Sequence, residues 1–475
     1  MRILFAIKAI DNEPMGLAYL SAMLKEAGHD VRMVVATEED PVAVARSYRP
    51  QVVGYTVYTG TQKYYLELNR AIREAVPGVF SVFGGPHPTF FPELVEEDGV
   101  DGVCIGEGEY AIVDLAGALA GKRSLTDIPN WWIKQDGQIY RNELRPLVED
   151  LDTLPLPDRQ PLYDAHPPSR TSPIKPFLAG RGCPYNCSFC FNHAYGQLYR
   201  DKGKRVRRRS VDNLLTEMQQ VQETYPYRFV IFTDDTFSML PQWLEEFAAR
   251  YPQAVGVPFW CQVRANLVDE RMAEILKQAG CVSVSLGVEA GNDDLRNRVL
   301  KRNMSKEEII SACDTLRRHG IRFMTNNMVG LPTGTLATDW ETLEFNVRLR
   351  PAYANVFIYQ PYPKTDLGEF ALQEGYMLGD FDCVSDSVSD VSALRFPPGE
   401  KHQIENLQKL LGVTVEFPFL RPLTRQLIKL PPNPAFWFVY KLWKGIALKQ
   451  RIQPLHLSLS EWVRTVWQFM RVRSQ

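Results

Sequence analysis

This 475-residue sequence has no disulfide framework, no membrane-length apolar run and no strong net charge. Five of its eight cysteines (Cys104, Cys261, Cys281, Cys313 and Cys383) are isolated, mostly in apolar runs, and read as buried free thiols. No uninterrupted apolar stretch approaches the roughly 18–20 residues that cross a bilayer. The opening residues, 1–7, read as a strand rather than a secretion signal, so a reducing cytosol is the expected location. With a net charge of −2, no global field draws the chain to nucleic acid, and no such partner is expected. The charge is nonetheless lopsided. Residues 421–475 hold ten Lys/Arg against one acid, Glu461, a local +9 that leaves −11 on residues 1–420. The length implies two or three domains, and 45% hydrophobic with 23% charged residues is a folded, globular composition.

The other three cysteines stand together. Cys183, Cys187 and Cys190 follow Cys-x3-Cys-x2-Cys, with no fourth cysteine nearby. Three thiolates hold three corners of a four-iron, four-sulfur cluster and leave one iron open. An open position is where a catalytic metal site takes its substrate or cofactor. Pro184 and Asn186 suit the tight loop that converging sulfurs require. The alternative is a closed zinc site, which wants four ligands and has His193 available as the fourth.

Two series of short apolar strands and amphipathic helices flank that loop. In the first, strands at 2–7, 31–36, 52–58, 79–84 and 102–105 alternate with helices at 14–28, 42–47 and 64–75, which predicts a parallel α/β sheet. Ligands of such sheets bind beyond the carboxyl ends of the strands. Those ends carry Thr56-Val57-Tyr58-Thr59-Gly60, Gly84-Gly85-Pro86-His87 and Gly106-Glu107-Gly108-Glu109. The last formally fits a dinucleotide fingerprint, but it follows the wrong strand and its glutamates would face a pyrophosphate. His87 reads as a satisfied loop histidine before it reads as a ligand. Asp136-Gly137 between apolar runs predicts a hairpin, and the five prolines of 151–168 predict a linker.

The second series has strands at 175–179, 229–233, 259–263, 282–287, 322–329 and 356–360, with helices at 211–224, 242–250, 271–279, 306–319 and 338–349. Its strand ends bear Asp234-Asp235, Arg264, Gly287-Val288-Glu289 and Gly330-Leu331-Pro332. Beyond it, Phe436, Val439, Tyr440, Trp443 and Ala447 make one helical stripe, with Lys441, Lys444 and Lys449 off it. A second helix is expected from Ser458, where Ser458-Leu459-Ser460-Glu461 forms a capping box ahead of a Val463, Val466, Trp467, Met470 stripe. Such basic, aromatic helices either form a lid over a barrel mouth or lie on an anionic membrane.

The cysteine loop, with aromatic Phe189 before its last cysteine, resembles that of the radical S-adenosylmethionine (radical SAM) enzymes. The first domain, with its Gly84-Gly85 and Gly-Glu-Gly-Glu turns, resembles the cobalamin-binding domain that precedes many radical SAM cores. The resemblance covers roughly residues 1–370. It implies an α/β chain with a Rossmann-like (flavodoxin-like) cobalamin-binding domain at 1–145, a linker at 146–172, a partial (β/α)6 TIM barrel at 173–370 and a mainly helical region at 371–475. The implied cofactors are a [4Fe–4S] cluster on Cys183, Cys187 and Cys190, S-adenosylmethionine and cobalamin. S-adenosylmethionine would meet Phe189, Asp235, Arg264, Gly287 and Glu289, with Glu289 on its ribose or amino group and Arg264 on the methionyl carboxylate or on a substrate anion. Cobalamin would meet Thr56, Tyr58, Thr59, Gly84, Gly85, Gly106, Glu107 and Gly108, stacked against the barrel mouth. Two positions depart from the family pattern. The cobalt-ligating Asp-x-His-x-x-Gly signature is absent, Asp11-Asn12-Glu13-Pro14-Met15-Gly16 standing in the first loop, as is common in the radical SAM relatives. Lys364 stands where they often have glycine. The activity implied is methylation of an unactivated carbon after cleavage of S-adenosylmethionine to a 5′-deoxyadenosyl radical, with a flavodoxin- or ferredoxin-like electron donor. Cyclisation or rearrangement of a tetrapyrrole or lipid-like substrate, as in the anaerobic cyclase and hopanoid-tailoring branches, is the second reading. A cofactor-free fold and a non-enzymatic cysteine–metal scaffold are the others. No catalytic acid or base is assigned.

Overall fold

A computed structural model describes residues 1–121, 123–385, 387–389 and 391–455. The chain forms two units: Met1–Ser172 with Gln197–Arg209, and Pro173–Gly196 with the chain from Ser210 onward.

In the first unit, β1 (Arg2–Ile7), β2 (Asp30–Val35), β3 (Val52–Thr56), β4 (Phe80–Gly84) and β5 (Gly102–Cys104) form a parallel sheet in the order β2-β1-β3-β4-β5. This is the flavodoxin-like order, which reverses between β1 and β3. Ile3 through Ile7 are all buried, as expected of a strand covered by helices on both faces. An antiparallel hairpin, β6 (Trp131–Gln135) and β7 (Gln138–Arg141), extends the sheet from β5. Its turn residues Asp136 and Gly137 both have positive φ, 51° and 77°, the geometry for which Asp-Gly is selected. The proline-rich stretch is packed: Leu151 and Leu154 cluster with Tyr19 and Val148, and Arg159 pairs with Glu13 at 3.1 Å in a buried site. Residues 197–209 also belong to this unit, a return of the chain that no local pattern predicts.

In the second unit, six parallel strands stand in consecutive order: β8 (Ile174–Phe177), β9 (Phe229–Phe232), β10 (Phe259–Val263), β11 (Cys281–Glu289), β12 (Arg322–Val329) and β13 (Tyr353–Ile358). Alternate strand residues, among them Phe232, Phe259, Val284 and Phe323, pack with Leu214, Phe247, Leu276 and Leu316 of the intervening helices. Helix starts follow their caps: Ser210, Asp269 and Ser305 each accept a first-turn backbone N–H, and Ser305 closes a capping box with Glu308. The helix Glu400–Glu416 covers β13 with Ile404, Leu407 and Leu411, and Gln408 Nε2 donates to the Val356 carbonyl at 2.9 Å.

The reading of the C-terminal helix as a lid over the barrel mouth is corrected. The helix Pro434–Ala447 and the following turn close the opposite, amino-terminal ends of the strands. There Ala447 and Ile452 pack on Met324, Tyr353 and Trp260, Ser283 Oγ donates to the Ile452 carbonyl, and Arg322 donates to the Gln450 carbonyl at 3.1 Å. Phe436, Tyr440 and Ala447 are buried as the stripe predicted. Lys441, expected off that stripe, is buried too, with its ammonium 4.1 Å from the Trp437 ring centroid. The second helix expected from Ser458 lies outside the described residues. Among the described residues, no helix is long and apolar enough to cross a membrane.

Candidate functional site

The three clustered cysteines lie in the loop after β8. Gly182 takes a positive φ of 84°, and Cys190 N donates to the Cys187 carbonyl at 3.1 Å. Ser188 pins the loop from two sides: its Oγ donates to the Val299 carbonyl at 2.6 Å, and its own carbonyl accepts from Leu367 N at 2.9 Å. Burial pushes the Cys190 thiol up to about 11 and raises Cys183 as well. Both must lose a proton to ligate a metal. Asp235 lies close enough to raise these two thiols further, while buried Asp234 accepts from Ala179 N at 3.1 Å.

Cys187 is buried against two guanidinium groups. Arg302 Nη1 approaches its Sγ to 3.4 Å and Arg264 Nη1 to 3.7 Å. Arg264 also donates through Nε to Asn266 Oδ1 at 2.8 Å and through Nη2 to the Arg302 carbonyl, and stacks 3.7 Å from the Tyr185 ring centroid. Burial, and then the charge of Arg302, lower the Arg264 pKa below the ordinary guanidinium value. Arg302 Nη2 donates to the Gly287 carbonyl at 2.8 Å and lies 3.7 Å from Glu289 Oε1.

Glu289 ends β11 with φ at 66°, where the register to β12 shifts between Gly287 and Glu289. Such a bulge re-aims a side chain at a sheet rim. Burial raises the Glu289 carboxyl pKa, opposed by Arg302 and Arg264. A Cβ on Gly287 would overlap Glu289 Oε1, so a side chain there would push this carboxylate aside. Phe189 is half-buried beside Leu295, Leu300, Met328 and Leu367. One strand over, Gly330 N donates to the buried Asp339 carboxylate at 3.1 Å, and burial pushes Asp339 up to about 7. Sequence reasoning missed Arg302 and Asp339. Arg302 lies thirteen positions after Glu289 with no motif to flag it, and Asp339 looks like an ordinary first-turn helix acid.

The first unit builds its rim differently. Gly85 at φ 99° packs so closely that a Cβ would lie 2.9 Å from Thr56 Oγ1. Thr89 Oγ1 donates to the Gly85 carbonyl at 2.8 Å and accepts from Gly106 N at 3.0 Å, lacing two loops together. Thr59 Oγ1 meets His87 Nδ1 at 3.2 Å, and His87 stacks on Phe91, so the histidine has partners within its own unit. Tyr58 stands exposed, and Gly84 and Gly108 complete the rim. The Glu107 carboxylate, expected among these ligand-facing groups, is occupied by Arg207 at 2.8 Å and by Val148 N at 2.9 Å. Tyr199 Oη accepts from Glu107 N at 3.1 Å, and a Cβ on Gly106 would overlap it.

Residues 177–345 match the radical SAM superfamily, and residues 1–116 match the B12 binding domain. The chain carries a radical SAM domain and a B12-binding domain. An uncharacterised methyltransferase of Pyrococcus horikoshii is 29% identical over 377 residues, covering 77% of this chain and 80% of that one. The anaerobic magnesium-protoporphyrin IX monomethyl ester cyclase of Rubrivivax gelatinosus is 28% identical, covering 74% of this chain and 65% of the cyclase. The cobalamin-dependent radical SAM enzyme OxsB, solved with aqua-cobalamin, shares the fold at a TM-score of 0.68 and 17% identity, over 99% of this chain and 75% of OxsB. A radical SAM enzyme of this kind takes a [4Fe–4S] cluster and S-adenosylmethionine, and its B12-binding domain takes cobalamin.

The radical SAM core fits that cluster. Its three thiols share one loop, and Arg302 Nε is buried beside them without a hydrogen-bond partner. In a cubane each thiolate binds a different iron, so the sulfurs stand apart. Among the described residues, no group of three or more His, Cys, Asp or Glu side chains is placed to hold a metal ion. His193, the fourth ligand of the zinc reading, instead faces Asn186 at 3.2 Å and Asp366 at 3.5 Å. The B12-binding domain fits a large flat ligand through its glycine-turned backbone and the exposed Tyr58 ring.

Proposed function

We propose that this enzyme methylates an unactivated carbon of a small-molecule substrate in a cobalamin-dependent reaction. When bound, the cluster supplies the electron that cleaves S-adenosylmethionine, and cobalamin carries the methyl group. The residues supply position and dryness. Cys183, Cys187 and Cys190 hold the cluster. Glu289 accepts hydrogen bonds from the ribose or amino group of S-adenosylmethionine, Gly287 leaves the space beneath it, and Phe189 and Asp235 border the open corner. Thr56, Tyr58, Thr59, Gly84, Gly85, Gly106 and Gly108 cradle cobalamin through backbone and ring surface. Glu107 supports that rim through its ion pair rather than by touching the ligand. A small flavodoxin- or ferredoxin-like protein delivers the electron, and in functional terms the chain divides into a cobalamin-binding domain at 1–145, a linker at 146–172, a radical SAM barrel at 173–370, which lends residues 197–209 to the first unit, and a C-terminal region at 371–475.

The observation that carries this reading is the thiol loop facing Arg302 and Glu289 in a chain that also bears a B12-binding domain. Anaerobically reconstituted enzyme, supplied with methyl-labelled S-adenosylmethionine and a small-molecule extract of the source cells, tests it. Label on carbon supports methylation. A product with a new ring and no label supports the cyclisation that the similarity to a cyclase keeps in play.

A second reading, membrane contact, draws on the C-terminal surface. Phe419 (76% exposed), Phe438 (54%) and Leu442 (51%) face solvent there. Residues 421–455 hold seven Lys/Arg and no acid. Apolar side chains amid cations suit an anionic bilayer surface. Because this helix also floors the barrel, the test is substitution rather than truncation. Phe438→Asp with Leu442→Asp should abolish co-sedimentation with phosphatidylglycerol vesicles, and equal pelleting of variant and parent would sink the idea.

A further inference from the structure

Two buried arginines on one sulfur call for a reason. Arg264 is 5% exposed and Arg302 8%, yet their guanidiniums converge on Cys187 Sγ at 3.7 and 3.4 Å. Placing two cations together away from water is unfavourable unless negative charge lies between them. Glu289 lies 3.7 Å from Arg302 and Asp235 stands near Cys183 and Cys190, but the two charged groups that reach the Cys187 sulfur itself are both cations. Asn266, Tyr185 and the Arg302 carbonyl fix Arg264, and the Gly287 carbonyl fixes Arg302, so neither can swing away cheaply. Arg264 is therefore built toward the thiol loop rather than toward a free carboxylate.

We propose that Arg264 and Arg302 form a cationic clamp on the Cys187 thiolate that raises the reduction potential of the cluster this loop holds. The proposal rests on the radical SAM reading. One-electron reduction adds one negative charge to the cluster, the electron coming from the external donor and no bond being broken. Charge-assisted N–H···S hydrogen bonds and nearby cations favour the more negative state, and both set iron–sulfur potentials. The arginines are positioning residues here; they act on the electron rather than on substrate. Arg302 reaches sulfur and the Gly287 carbonyl with two separate nitrogens, which one ammonium cannot do.

Anaerobic redox titration tests the clamp. Holoenzyme without S-adenosylmethionine is poised with dithionite and mediator dyes, and the reduced cluster is read by electron paramagnetic resonance. Arg302→Met and Arg264→Met should each lower the reduced-to-oxidised ratio at fixed poise by about tenfold, equivalent to about 59 mV for a one-electron couple. Arg302→Lys should recover part of the loss. If Arg302→Met assembles no cluster, Glu289→Gln reads the same claim in reverse: removing the opposing carboxylate should raise the ratio. Unchanged ratios in neutral variants that keep a four-iron spectrum, or an unchanged or lower ratio in Glu289→Gln, would overturn the clamp. A parent enzyme with no four-iron spectrum would overturn the radical SAM reading instead.

Discussion

The two units place their binding loops at the carboxyl ends of parallel strands, yet equip them in opposite ways. In the B12-binding domain, the one acid expected to face a ligand, Glu107, is neutralised by Arg207. What remains exposed is backbone turned by Gly85 and Gly106, and the Tyr58 ring. In the radical SAM core, charge is concentrated instead: Arg264, Arg302 and Glu289 are buried around one thiol, and Gly287 makes room for a carboxylate. A cofactor with a broad, mostly neutral face and a cluster that changes charge in its reaction place just these different demands on similar strand ends.

Four substitutions would break or sharpen this contrast, from the largest expected effect to the smallest. Cys187→Ala removes a ligand at the centre of the charged rim, and the absorbance of the four-iron cluster after anaerobic reconstitution should vanish. Cobalamin retention should survive, since the other rim uses none of these groups. Arg207→Met strands the buried Glu107 carboxylate and should cost about 3–5 kcal/mol in denaturant unfolding. Retention of the full stability would mean that the first rim does not depend on that pair. Gly85→Ala forces a side chain into positive φ beside Thr56, at a cost of about 1–3 kcal/mol. Cobalamin retention, read by absorbance, should weaken with the cluster spectrum unchanged.

The remaining substitution is read through pH. Asp339 titrates at about 7 in the folded chain, well above an ordinary aspartate, because it is buried. Its folded form prefers the proton, so its contribution to stability is fullest below the ordinary aspartate range. That contribution is lost as pH rises toward 7, and stays lost above it. Asp339→Asn keeps an acceptor for Gly330 N and removes the titration. Denaturation midpoints should show a shallower pH dependence between about 4 and 7 in the variant, and parallel curves would remove Asp339 from the account.

Much of this was legible in the residues. Apolar strands such as 2–7 and 259–263 declare themselves by composition, Asp136-Gly137 by turn chemistry, and Ser305 by its cap. The cysteine spacing marks its loop without any fold. What was hidden are pairings across long stretches of chain. Glu107 meets Arg207 a hundred residues later, and Arg302 reaches a thiol at 187; neither has a local signature. The stripe Phe436, Tyr440 and Ala447 announced a buried face but not which end of the barrel it covers, because amphipathicity fixes a face and not a partner. Lys441 shows the same limit, as a cation whose burial depends on the Trp437 ring.

The central claim is that one chain joins a radical-generating cluster to a B12-binding domain. Its most direct test is 5′-deoxyadenosine, measured after anaerobic reconstitution and reduction in the presence of S-adenosylmethionine. The account predicts release by the parent enzyme and none by Cys187→Ala. Absence of 5′-deoxyadenosine from a parent enzyme carrying its four-iron cluster, or undiminished release by the variant, would contradict it.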